Sequence, residues 1–291
     1  MIEYTLLAGI FFGLYFSLMA MGLNLIFGVM KIINLAHGDF IMLGAFFSYL
    51  AYQYLHVSPW LVVVAAAAVL AAIGFILYYP LVPRLLRSRD PEMLSLVLFF
   101  GLSQVIEALA VIAFGNNPRS VNLPIMTSHP IAVLGQSFQA SWILTAGVST
   151  VAIGLMYLYL YRTRLGFATR AVMGSRDEAA ASGLNVHRVS MITFGIGLAL
   201  AAGAGVLAPL MLGSIYPSMG IALTTTSFAV IVIGSLGNPA GTLLGGLIYG
   251  VSTMLMETYF SSWSSMVPYL LLLLIVFLKP EGLLGKGVRS A

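Results

Sequence analysis

The sequence predicts an all-α, polytopic membrane protein, and three observations carry that expectation. Of its 291 residues, 60% are hydrophobic and only 8% charged, against about a quarter charged in soluble domains. The stretches 6–30, 40–83 and 189–256 contain no Asp, Glu, Lys or Arg, and each is long enough for one or more spans of about twenty residues. A transmembrane barrel would alternate polar and apolar residues in segments of about ten, and these stretches do not.

Cutting the chain at charges and at Pro or Gly punctuation gives nine spans: 6–29, 33–55, 58–82, 92–114, 139–161, 188–212, 219–236, 240–258 and 264–278. The count falls to eight if one Gly-rich segment is re-entrant. The cut before the third span rests on Ser58-Pro59, since Pro is favoured just inside a helix start and Ser58 can cap it. Basic residues set the orientation. Placing Arg84, Arg87, Arg89, the arginines of 162–188, Lys279, Lys286 and Arg289 in the cytoplasm leaves Arg119 as the only basic residue opposite, with Lys31 ending the first span inside. Nine crossings then put the N-terminus outside and the C-terminus in the cytoplasm. Met1 to Thr5 has no basic region, so no cleavable signal is expected. The longest outside loop, 115–139, carries Asn116-Asn117-Pro118, Pro124 and Pro130 and reads as a tether. Trp60, Tyr161 and Trp263 near span ends read as interfacial anchors.

Polar residues interrupt this apolar background in two places. The stretch 22–43, GLNLIFGVMKIINLAHGDFIML, holds Asn24, Lys31, Asn34, His37 and Asp39. Unsatisfied polar groups are costly in a bilayer, so such residues face protein or a water-filled path. In the last third, Ser235-Leu236-Gly237-Asn238-Pro239 breaks a segment rich in glycine. Two broken segments in corresponding places point to a substrate path, while Gly241-x-x-x-Gly245 and Gly246-x-x-x-Gly250 suit close helix packing. Candidate path residues are Asn24, Asn34, His37, Asp39, Glu107, Thr224, Thr225, Thr226 and Asn238. His37 and Lys31 lie near enough in sequence to neutralise Asp39, which either locks the broken helix or meets substrate. Glu107, a turn from Ser103 and Gln104, belongs either to a buried network or to a path lining.

The cytoplasmic stretch 162–188, RTRLGFATRAVMGSRDEAAASGLNVHR, is the only sizeable polar segment. Strong helix formers over 168–181 predict a short helix there, with Ala171, Val172, Ser175, Ala179 and Ser182 on one small-residue face. Such a face fits into a cleft on a soluble partner.

The quoted motifs resemble the membrane permeases of ATP-driven branched-chain amino-acid importers of the high-affinity Liv type. The residues that carry the resemblance are Gly22-Leu23-Asn24-Leu25, Gly28-Val29, Ile33-Asn34, Ala36-His37-Gly38, Phe40, Leu43-Gly44-Ala45, the block 231–250 and the tail Lys279-Pro280-Glu281-Gly282-Leu283-Leu284-Gly285. They run almost end to end. The resemblance implies an inner-membrane permease subunit with four kinds of contact: a second permease chain or a copy of itself, two ATPase subunits that hold ATP and Mg, an extracytoplasmic substrate-binding protein, and the membrane. It further implies that 162–188 is the coupling loop, with Arg170, Glu178, Ala179, Ala180 and Gly183 at the ATPase. Branched-chain amino acids are the first substrate choice; other amino acids, amides and urea are the alternatives.

Nothing in the sequence reads as an enzyme. No GxxxxGK[ST] phosphate loop surrounds Gly285-Lys286, so no cofactor is expected in this chain. His37, His56, His129 and His187 lack metal-ligand spacing. The net charge of +4 comes from basic residues at span ends rather than a patch, which argues against nucleic acid, and there is no cysteine. The competing class is an ion-coupled transporter or channel acting without ATP, which would want several deep carboxylates; Asp39 and Glu107 are the candidates.

Overall fold

The computed structural model describes residues 1–55, 57, 59–121 and 130–285. The reading of Ser58 as a cap, His56, His129, Pro124, the Trp60 side chain, Lys286 and Arg289 lie outside what is described. Helices dominate: α1 (Ile2–Met30), α2 (His37–Leu50) continuing through a π-turn (Ala51–Leu55), α3 (Pro59–Leu86), α4 (Pro91–Phe114), α5 (Ala140–Arg162), α6 (Arg164–Gly174), α7 (Arg176–Ala181), α8 (Val186–Leu212), α9 (Met219–Gly234), α10 (Pro239–Tyr259) and, after a 3-10 turn (Ser261–Met266), α11 (Val267–Leu278). Seven stretches are long and apolar enough to cross a membrane, and the 16-residue α9 is shorter.

Helices α1 and α8 form the centre. In each, 72% of the apolar window is buried, against 17% for α4 and 11% for the last span, which therefore lie at the periphery. Helix starts follow local chemistry: Asp90 caps Met93 N with Pro91 behind it, and Asn238 caps Ala240 N and Gly241 N before Pro239 takes the first helical position. Pro80, Pro83 and Pro209 sit inside helices, which membrane spans tolerate when neighbours re-satisfy the freed carbonyls.

The two overlapping GxxxG motifs serve different neighbours. Gly241 and Gly245 pack on α9 at Gly234 and Val230, whereas Gly246 and Gly250 pack on α1 at Gly13, Ser17 and Gly9. Residues 245 and 246 lie about 100° apart around a helix, so one segment brings both backbones close. A Cβ on Gly13 would lie 2.8 Å from Leu247 Cα, and at such a separation the helices would have to part.

The structure corrects three expectations. The second span does not start at 33: residues 31–36 are non-helical, and the helix begins only at His37. The segment 168–181 is not one helix. Ser175 adopts extended backbone, with φ −154° and ψ 120°, and caps α7 by accepting from Glu178 N, so the proposed single face is divided: Val172 and Ala179 are buried while Ala171 and Ser182 are exposed. The third is the 115–139 connection, read as an unstructured link, in which Ile131–Val133 and Gln136–Phe138 form an antiparallel hairpin. Phe138 anchors it to α1, stacked on Tyr4 and edge-on to Phe11.

Candidate functional site

Both breaks open on a non-glycine residue in the left-handed region: Lys31 after α1, with φ 55°, and Ser235 after α9, with φ 135°. Among the described residues only Leu134, in the hairpin turn, shares that feature. Such backbone is costly and concentrates where a fold holds functional geometry.

At the first break the chain runs back into the bundle. His37 Nε2 donates to Met19 O at 3.0 Å, a carbonyl eleven residues before the end of α1, or about 16 Å up the helix at 1.5 Å per residue. Helix α2 therefore starts deep within the bundle. Asn34 Oδ1 accepts from Ala36 N at 3.1 Å. Thr224 of α9 closes the turn, donating to Leu35 O at 3.0 Å and accepting from Gly38 N at 2.8 Å. Other polar atoms here are buried without a hydrogen-bond partner: Asn34 Nδ2, His37 Nδ1 and both oxygens of Asp39. With Nε2 carrying the proton, Nδ1 is a bare acceptor.

Asp39 occupies the first turn of α2 and presses on Gly220 in the first turn of α9, where any Cβ would collide with Asp39 Oδ1. Two helix N-termini thus flank one carboxylate, and their partial positive charge favours an anion there. From α4, the Ser103 hydroxyl and the Glu107 carboxylate act on it. His37 and Lys31 do not neutralise Asp39. On a helix, residues two apart point away from one another; the imidazole turns toward Gly22 of α1, and the Lys31 ammonium lies over the Phe27 ring. Glu107 is half-buried and Gln104 exposed, so this polar group opens onto the outer side of α4.

Asn24 holds the second break. Its Nδ2 donates to Asn238 O at 2.9 Å and to Thr242 Oγ1, and its Oδ1 accepts from Gly237 N. The C-terminal tail adds two amides, Leu283 N to Ile233 O and Leu284 N to Gly234 O, which satisfy the last carbonyls of α9; Asn238 Nδ2 donates to Leu284 O at 3.1 Å. The arrangement is reciprocal: α1, which leads into the first break, grips the second, and α9, which leads into the second, grips the first.

The candidate residues thus fall into two groups and some outliers. Asn34, His37, Asp39, Glu107 and Thr224 surround the start of α2, and Asn24 with Asn238 forms the other knot. Thr225 turns back to Ile221 O, and Thr226 pairs with Tyr249 between α9 and α10. Sequence reading missed Gly220 and Thr242. Thr242 lies four residues after Asn238, one helical turn on, which is the one signal that could have found it.

On the segment 162–188, Arg170 stacks on Tyr161 and Phe167 and donates from Nε to Leu160 O at 3.0 Å. Glu178 and Ala180 are exposed, Ala179 is buried, and Gly183, with φ 81°, ends α7. Arg176 donates from Nη1 to Val29 O at 3.1 Å. Burial lowers its pKa, while Tyr78 and Asp177 pull it back up; an arginine stays charged under either influence.

Comparison with known proteins places this architecture. A family model described as branched-chain amino acid transport system, permease component, matches residues 5–276. The high-affinity branched-chain amino acid transport system permease protein LivH of Salmonella typhimurium is 29% identical, covering 96% of this chain and 94% of its own. BraD, the corresponding permease protein of Pseudomonas aeruginosa, is 27% identical over 97% and 95%, and LivM of Escherichia coli K12 is 25% identical over 92% and 67%. No solved structure matches. With the family model spanning nearly the whole chain, this protein belongs to the permease-component family of branched-chain amino acid transport systems.

Proposed function

We propose that this subunit of an ATP-binding-cassette importer passes branched-chain amino acids, delivered by an extracytoplasmic binding protein, across the inner membrane. It pairs with a second permease chain; relatives of the LivH and LivM kinds both match it. Two ATPase subunits, which carry ATP and Mg, drive the pair from the cytoplasm. The chain crosses nine times, N-terminus outside, with α2 and the short α9 meeting as half-spans, and the clustering of Arg and Lys at one end of the bundle supports this orientation.

The observation that carries the path is the start of α2. Four buried polar atoms on Asn34, His37 and Asp39 lack partners there, beside two half-helix N-termini, and orphaned buried groups call for water or a polar solute. The route runs along Asn34, His37, Asp39, Glu107 and Thr225, with Asn24, Asn238, Thr224 and Thr226 framing it. At the cytoplasmic face, Glu178 and Ala180 meet the ATPase, while Arg170, Ala179 and Gly183 shape the surface that presents them.

The substrate is tested by calorimetric titration of the cognate binding protein. Leucine, isoleucine or valine should bind, and a protein that takes only an amide or urea would reverse the substrate assignment. The coupling surface is tested by Glu178→Lys with Ala180→Trp. Loss of ATPase co-purification with the membrane subunits is expected, and full retention would remove the assignment.

A further inference from the structure

The cytoplasmic helices reach both breaks through contacts gathered at one end of α1. Met173 of α6 enters the notch left by Gly28: a Cβ there would collide with Met173 Cε, and would lie 3.4 Å from Met173 Cγ and 3.2 Å from Gly237 Cα in the second break. One residue on, Val29 O accepts from Arg176 of α7. In a continuing helix, Ile33 N would have reached that carbonyl; here Ile33 N donates to Ser95 Oγ at 3.0 Å. The guanidinium thus replaces a missing helical bond at the negative end of the α1 dipole. Two residues further, Lys31 turns out of the helix. Between α6 and the second break lies a cleft of about 480 Å³, bordered by Arg170, Met173, Ser235, Gly237 and Asn238.

We propose that Met173 and Arg176 are positioning residues that carry motion of the α6–α7 pair into both breaks. The inference rests on the reading of α6–α7 as the ATPase-facing surface. Displacing α6 moves Gly28 and Gly237 together, because Met173 packs on one and that one packs on the other. Displacing α7 draws Val29 O, and with it the residues that lead into Lys31 and the start of α2. The polar group around Asp39 and the knot around Asn24 then respond to a single cytoplasmic input. Coupling of this kind needs an element with two arrangements that both sites bias, and in this proposal that part falls to the break openings at Lys31 and Ser235, each held at positive φ.

The test uses the complete complex of permease pair, ATPases and binding protein in liposomes. The chain has no cysteine, so Gly28→Cys with Met173→Cys introduces its only thiols. The Cβ of residue 28 would stand 3.4 Å from the Cγ position that a sulfur at 173 takes over, within reach of a disulfide. Uptake by the reduced double variant, which lacks Met173, is expected to be lowered already; oxidation is then expected to stop radiolabelled leucine uptake altogether and reduction to return it to that lowered level, while Met173→Cys alone should not respond to oxidation. Undiminished uptake by a fully cross-linked complex would overturn the proposal. Independently, Arg176→Met should lower leucine taken up per ATP hydrolysed by about tenfold, and Arg176→Lys should recover most of it; an unchanged ratio in Arg176→Met would overturn the part given to that residue. ATPase co-purification in the Glu178 and Ala180 double variant reports on the docking surface alone, so a failed joint and a failed surface give different results.

Discussion

Replacing Asn24 with Leu removes the knot at the second break while keeping the branched heavy-atom skeleton, so no cavity is left. Four hydrogen bonds involve the amide: Nδ2 to Ser235 O, Asn238 O and Thr242 Oγ1, and Gly237 N to Oδ1. Most partners keep a second bond. Asn238 O still receives Thr242 N, Ser235 O still receives Asn238 N, and Thr242 Oγ1 still donates to Asn238 O. Only Gly237 N–H, on a half-buried residue, is left wholly unpartnered, which costs about 1–3 kcal/mol where water does not reach it. The two firmer Nδ2 bonds add roughly 0.6 kcal/mol each, the average for polar contacts between membrane helices. Asn24→Leu should therefore destabilise the subunit by about 2–4 kcal/mol, read as a shifted denaturant midpoint for the purified protein in detergent. A change below about 0.5 kcal/mol would refute the view that Asn24 holds the α9–α10 break in place.

Three further outcomes follow from the same contacts. Thr224→Val leaves Gly38 N without its acceptor and should cost about 1–3 kcal/mol, whereas Thr224→Ser should keep most of the stability; equal loss in both would point to the methyl group instead. Gly246→Leu sets a side chain against Ser17 and the Gly13 carbonyl and should prevent recovery of folded subunit from membranes, while Leu244→Ala on the exposed side of the same helix should be recovered normally. Single cysteines at Ser120 and Ser218, both exposed, should react with an impermeant thiol reagent added outside intact cells, and cysteines at Ser88 and Ser175 should not; labelling of Ser175 from outside would reverse the orientation.

The seven long apolar helices were legible because a span needs only a long apolar run and punctuation, and both are local. The first break was visible as well, since Lys31, Asn34, His37 and Asp39 stand out against their neighbours. What the polar residues touch was not legible. Asp39 was expected to meet His37 or Lys31, yet it meets Gly220, almost two hundred positions away, because α2 starts deep in the bundle and faces α9 there. The same distance hid the exchange of grips by Asn24 and Thr224. The α6–α7 division shows a different limit: helix propensity favours one continuous helix over 168–181, but Ser175 bonds Glu178 N and starts a new one. That choice between propensity and a side-chain cap is settled by packing of Val172 and Ala179, which the local sequence does not contain.

The proposed importer draws on ATP and not on an ion gradient. Liposomes holding this chain with its permease partner and ATPases, supplied outside with the binding protein and radiolabelled leucine, should accumulate leucine only with ATP and Mg inside, and should do so without a proton or sodium gradient. Accumulation driven by an ion gradient in the absence of ATP, abolished by Asp39→Asn or Glu107→Gln, would contradict it.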